Sequence, residues 1–187
     1  MSTRVLLIAA APTPWDLENR LGGTSSLPLT AEAIDAIGHL LNALAEPIEA
    51  VYRPSANEAC VEAAQIIAKK YGLRPRDNPN LNEVGLGLWQ GLLPDDLRKR
   101  FPTVFSKWEE EPLTVTPPDG EPLESAIQRI SAAVEKIVRR NRGAKVALPL
   151  RPMAMQIASG LLKRRSPQEI AAHLHQRSPA ETIDVED

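Results

Sequence analysis

The feature that most restricts this chain is an alternation of short apolar runs with longer amphipathic stretches. Residues 4–11, 48–52 and 145–150 are each apolar runs of strand length, and Pro12 and Pro14 stop the first of them. The stretch behind Thr30, an N-capping residue, brings Ile34, Ile37, Leu40, Leu41 and Leu44 to one helical face. Residues 57–71 predict a second helix closed by Gly72, and residues 121–142 a long amphipathic one. Short strands joined by helices of this length require right-handed crossovers, and therefore a mostly parallel sheet covered on both faces. The predicted fold class is α/β: a three-layer α/β/α sandwich with a mostly parallel central sheet.

The remaining segments fill in around this frame. Residues 13–28 and 73–91 read as loops, 94–100 and 103–110 as short helices, and 112–118 as a proline-bearing connector. A helix is expected over 152–163 and a shorter one over 166–175. At 187 residues the chain suits one domain, placed at 1–176, followed by an acidic tail at 177–187 that is expected to be flexible. In parallel sheets the working site lies beyond the carboxyl ends of the strands. Here those ends are residues 9–16, 53–58 and 150–153.

Charge and composition narrow the function classes. Twenty-two basic against 24 acidic side chains give a net charge of −2, which argues against an electrostatic nucleic-acid binder. The basic clusters Arg139-Arg140-x-Arg142 and Lys163-Arg164-Arg165 fall at helix ends, where cations suit the helix dipole. One cysteine, Cys60, excludes an intramolecular disulfide and fits a reducing compartment, so the expected location is cytoplasmic. No apolar run approaches the roughly 20 residues of a membrane span. There is no Gly-x-Gly-x-x-Gly fingerprint, and no cofactor is expected. Trp15, Trp89 and Trp108 are dispersed and read as packing residues.

Several ordered elements resemble the phosphoglycerate mutase-like histidine phosphatase superfamily, in its branch with the Arg-His-Gly motif. Val5-Leu6-Leu7-Ile8 is similar to the strand that runs into that motif. Arg20-Leu21-Gly22-Gly23 and Leu27-Pro28-Leu29-Thr30 resemble the family's Arg-x-x-Gly and Pro-Leu-Thr elements. The stretch Leu81-Asn82-Glu83-Val84-Gly85-Leu86-Gly87-Leu88-Trp89-Gln90-Gly91 is similar to its Leu-x-Glu…Gly-x-Trp-Glu-Gly signature. Phe101-Pro102, Trp108, Gly120-Glu121 and Val146-Ala147-Leu148 continue the resemblance, which covers roughly residues 4–165.

The resemblance implies a phosphohistidine site, and the residues depart from it. The nucleophilic histidine aligns with Ala10, its neighbouring arginine with Ala9, the second arginine with Glu58, the second histidine with Arg151 and the aromatic-paired asparagine with Asp16. Only Glu83 matches its expected role, the acid that protonates the leaving oxygen. Losing one member of a nucleophile–base set can cost about a million-fold in rate. A carboxylate about 5 Å from a phosphate charge repels it by roughly 3 kcal/mol at an effective dielectric near 20, which is the effect expected of Glu58. His39, His173 and His175 lie outside the strand-end loops and are not expected to substitute. Ser55 and Thr13 are the nearby hydroxyls, without an obvious activating base.

Asp16, Arg20, Glu58 and Arg151 are therefore the candidate cleft residues, with Asp16 or Glu58 as the partner of Arg151. The leading expectation is an inactive homologue that works as a binding or regulatory module. The alternative is a divergent enzyme that reuses the cleft carboxylates, with or without a metal ion; a further alternative is phosphoglycerate mutase or phosphomonoesterase activity through another nucleophile, Ser55 or Thr13. Its partner, an unidentified ligand or protein, has no motif to name it, and a homodimer is compatible with the sequence.

Overall fold

The apolar runs become the central strands of one five-stranded sheet. The computed structural model describes residues 2–186. In chain order the elements are β1 (Thr3–Ala9), α1 (Pro14–Leu17), α2 (Ala31–Ala43), β2 (Ala50–Arg53), α3 (Glu58–Tyr71) and β3 (Arg76–Asp77). They continue with α4 (Pro94–Arg100), α5 (Pro102–Glu110), α6 (Leu123–Arg140), β4 (Lys145–Leu150), α7 (Pro152–Leu162), α8 (Pro167–Ala172) and β5 (Ala180–Val185). The sheet order is β3-β2-β4-β1-β5. β1 through β4 pair in parallel, and β5 runs antiparallel to β1.

Strand alternation produces the layers. Along β1, Val5 and Leu7 join one core with Ile130, Val134 and Ile157 of α6 and α7. Leu6 and Ile8 point the other way, into a core with Ile37 and Leu41 of α2 and Ala63 and Ile67 of α3. The buried stripe of α2 is Ala33, Ile37 and Leu41, whereas Ile34, expected on that face, is 40% exposed. Thr30 caps this helix as expected, accepting from the Ala33 amide at 3.2 Å. Gly72 closes α3 in the left-handed conformation at φ 66°.

The acidic segment expected to be a flexible tail is instead the edge strand β5. It pairs with β1 from Thr3↔Val185 to Ile8↔Ala180. The acidic composition of this segment masks a period of two. Ile183 and Val185 pack against the core, and the acids of the strand, Glu181 and Asp184, find cations. Asp184 accepts from Arg4 Nε at 2.6 Å, while Glu181 pairs with Lys163 and accepts from Ser159 Oγ at 2.6 Å.

Because β1, β2 and β4 are parallel neighbours, their carboxyl ends share one edge of the sheet. The Ala10 amide donates to the Leu150 carbonyl at 2.8 Å and carries the ladder one step past the strand. Ala10 and Arg151 thereby stand side by side where the chain leaves the sheet.

Candidate functional site

Arg151 is the centre of this edge. It is the N-cap residue of α7, and its side chain is nearly fully buried. Nη1 donates to the Ala10 carbonyl at 2.6 Å, and Nη2 lies 3.0 Å from Asp16 Oδ1 and 2.9 Å from Oδ2. Asp16 Oδ2 also accepts from the Thr13 amide and hydroxyl, both at 2.7 Å, so the carboxylate caps α1 while it neutralises the guanidinium. A Cβ at Gly22 would come within 3.1 Å of Arg151 Nη2, and the glycine of the Arg-x-x-Gly element admits the guanidinium. Of the two carboxylates expected to pair with Arg151, Asp16 does.

Glu58 does not join them. It is exposed in the first turn of α3, with its backbone amide donating to Ser26 Oγ, and it does not line the cleft. The repulsion expected from a carboxylate at this position therefore has no source in Glu58. Ser55, likewise exposed, donates its amide to Asn82 Oδ1. Thr13 differs from expectation in the other direction, since its hydroxyl does have a carboxylate beside it. That carboxylate is already paired with Arg151, and Thr13 is buried away from the cleft.

Glu83 takes the position that matters most for anion chemistry. Its carboxylate is 3% exposed. Oε1 accepts from the Val84 amide at 2.8 Å and the Ala154 amide at 2.7 Å, and Oε2 accepts from the Met153 amide at 2.9 Å. Met153 and Ala154 belong to the first turn of α7, where amides lack intrahelical acceptors and the helix dipole favours negative charge. Burial pushes the Glu83 carboxyl above the usual range, while the three amides and Arg151 oppose that rise.

A second arginine, missed in the sequence, holds the Glu83 loop in place. Arg129 on α6 forms a two-pronged pair with Glu121, Nε to Oε1 and Nη2 to Oε2, both at 2.7 Å. The same guanidinium donates to the carbonyls of Asn80, Asn82 and Glu83 at 3.0, 2.6 and 3.0 Å. The signal was available: Arg129 sits at the margin of an apolar face made by Ala126, Ile130 and Ala133. Gly87 tightens the loop further. Its φ is +50°, and a Cβ there would lie 2.0 Å from the Pro118 carbonyl oxygen.

Outside this charged floor opens a cleft of about 620 Å³. Phe105, Trp108 and Met155 give it an apolar wall, while Gln156, His175 and Arg177 supply polar groups. The inner recess bounded by Asp16, Arg20, Glu83 and Arg151 is far smaller, about 50 Å³. Arg20 lines both, with Nε on Glu18 at 2.5 Å and Nη1 on the Gly91 carbonyl at 2.8 Å. His175, expected to lie elsewhere, is brought into the cleft by the turn between α8 and β5. Its ring meets Trp108 edge-on at 4.7 Å, and partial burial there, with Arg177 nearby, lowers its pKa although its outer edge stays exposed.

The tryptophans behave largely as expected. Trp89, Phe105 and Trp108 form a cluster with centroids 5.5–5.6 Å apart, and Trp15 packs over Gly91. Cys60 is fully buried in α3, and burial pushes its thiol pKa up, away from reactivity. Among the described residues no group of three His, Cys, Asp or Glu side chains is placed to hold a metal ion. Nor, among the described residues, is any helix long and apolar enough to cross a membrane.

Residues 5–183 match the histidine phosphatase superfamily (branch 1). The chain belongs to that superfamily. The phosphoserine phosphatase 1 of Hydrogenobacter thermophilus is 24% identical over 139 residues, covering 74% of this chain and 65% of its own length. A bifunctional protein of Mycobacterium tuberculosis is 25% identical over 172 residues, 87% of this chain and 47% of its own length. The chain thus spans less than two thirds of these curated relatives. Among solved structures, YhfR of Bacillus stearothermophilus superposes with a TM-score of 0.82 at 24% identity, covering 98% of this chain and 92% of that one. This histidine phosphatase fold explains why a parallel sheet edge, the Glu83 loop and α7 converge on one cleft.

Proposed function

We propose that this histidine phosphatase homologue is non-catalytic and works as a binding or regulatory module, in a cytoplasmic setting consistent with its single buried cysteine. The observation that carries this reading is that the α7 amides and Arg151 in the inner recess are occupied by the protein's own carboxylates. Glu83 takes the Met153 and Ala154 amides, and Asp16 takes Arg151. A phosphoryl group would have to displace both. Ala10, at the position aligned with the nucleophile, offers no lone pair for covalent catalysis. The phosphatase activity in the relatives' names is for that reason not extended to this chain.

The enzyme alternative built on several cleft carboxylates has less to work with. Glu58 lies outside the cleft, and the remaining two carboxylates already hold partners. The test is turnover of p-nitrophenyl phosphate, phosphoserine and 3-phosphoglycerate by the purified chain. No hydrolysis above the buffer rate is expected. Turnover that disappears in Glu83→Gln would overturn the reading.

A further inference from the structure

The outer cleft holds an arginine without a carboxylate partner and a side-chain amide without a protein partner, which together point to a kind of ligand. Its acids already hold cations: Asp16 pairs with Arg151 at 2.9 Å, and Glu109 shares Arg98 with Asp95, at 2.5 and 2.7 Å. Arg20, the cation at the inner end, is matched by Glu18 at 2.5 Å. Among the described residues Arg177 pairs with no carboxylate. Its guanidinium donates to the neighbouring Gln176 carbonyl at 3.3 Å, and the side chain lines both the outer cleft and the inner recess. The guanidinium lies near the His175 ring, with Glu109 acting on that ring in the opposite sense.

Gln156 supplies the independent observation. It sits on α7 with nine-tenths of its surface buried, and it lines the cleft. Its side-chain amide faces the cleft with no hydrogen-bond partner among the described residues. The amide offers one donor group and one acceptor group to whatever enters. The wall opposite is apolar and aromatic, formed by Phe105, Trp108 and Met155. A volume of about 620 Å³ falls within the range of small-molecule sites.

We propose that this cleft binds a monocarboxylate with a flat apolar body and a hydroxyl or amide group. The carboxylate pairs with Arg177, the body lies against Trp108, Phe105 and Met155, and the polar group bonds to the Gln156 amide. A guanidinium matches a carboxylate with two parallel hydrogen bonds. A phosphate monoester fits less well, because its charge of about −1.5 to −2 exceeds what the one guanidinium of Arg177 neutralises. It would also compete with Glu83 for the α7 amides. This inference rests on the non-catalytic reading and adds the ligand class to it.

The experiment uses 3-(4-hydroxyphenyl)propionate, its neutral primary amide, the deoxy acid 3-phenylpropionate, and phenyl phosphate. Binding is followed by tryptophan fluorescence and calorimetry on the whole chain, with phosphate release from phenyl phosphate measured in parallel. The hydroxy acid is expected to saturate the protein and to bind about tenfold more tightly than its amide. Arg177→Gln should abolish the difference between acid and amide. Gln156→Leu should abolish the preference for the hydroxy acid over the deoxy acid. Melting temperatures identify any variant that fails to fold, and the acid-to-amide comparison on the unaltered protein needs no variant. Equal binding of acid and amide, tighter binding of phenyl phosphate, or no saturation by any acid would overturn the proposal. Phosphate release would instead overturn the non-catalytic reading, so the two failures are separable.

Discussion

Asp16 and Glu83 do the work of anions that the fold would otherwise take from outside, and each can be tested singly. Arg151 is nearly fully buried, so removing its charge partner or its charge leaves a desolvated group behind. Arg151→Met is expected to destabilise the chain by about 3 kcal/mol, the low end for a buried pair because Asp16 keeps some solvent contact. Urea denaturation measures this, and a loss under 1 kcal/mol would show that the pair is not coupled. At Glu83 the geometry predicts that glutamine is no substitute. Its NH2 would face an amide donor in place of an oxygen that accepts, at Val84 and Ala154 or at Met153. Glu83→Gln is expected to cost about 1–3 kcal/mol at pH 5, by the same denaturation.

At the scale of elements, two pieces are more demanding than their sequences suggest. The loop of the Gly-x-Trp element depends on Gly87, where a side chain meets both a positive φ and the Pro118 carbonyl. Gly87→Ala should lower stability by about 2 kcal/mol or more, read as a drop in thermal midpoint. The strand β5 covers the outer edge of β1 and contributes Ile183 and Val185 to the core. A chain ending at residue 178 should therefore melt earlier and scatter light on heating, because a flat apolar strand edge is uncovered. An unchanged melt would mean that β5 adds no stability.

These elements also mark how far the sequence can be read. Strands β1, β2 and β4 and helices α2, α3, α6 and α7 were legible because their periodicity and caps are local properties. Asp16 with Arg151 was legible as well, through the resemblance that placed both at strand ends. The place of Arg129 beside an apolar face was legible too, but its partners were not, because they lie up to 49 residues away. His175 was placed outside the cleft for a related reason: a turn after α8 that no local pattern specifies carries it back. Glu58 was misplaced because alignment gives the position of a backbone, not the direction of a side chain.

For the whole molecule, two groups set opposing pH dependences. Glu83 has a raised pKa in the fold, so between the ordinary carboxylate value and that raised value the folded chain holds the proton more tightly, and stability falls as pH rises. His175 has a lowered pKa, so stability falls as pH drops below the ordinary histidine value near 6.5. Glu83→Gln should remove the first slope and His175→Gln the second, as followed by thermal midpoint from pH 4 to 8. The central claim, however, concerns phosphoryl transfer. The most direct measurement incubates the purified chain with a 32P-labelled phosphomonoester, quenches with alkali, and counts label on the protein while assaying free phosphate. The account predicts neither labelled protein nor released phosphate. Stable label on any side chain, or phosphate release that depends on Glu83, would contradict it.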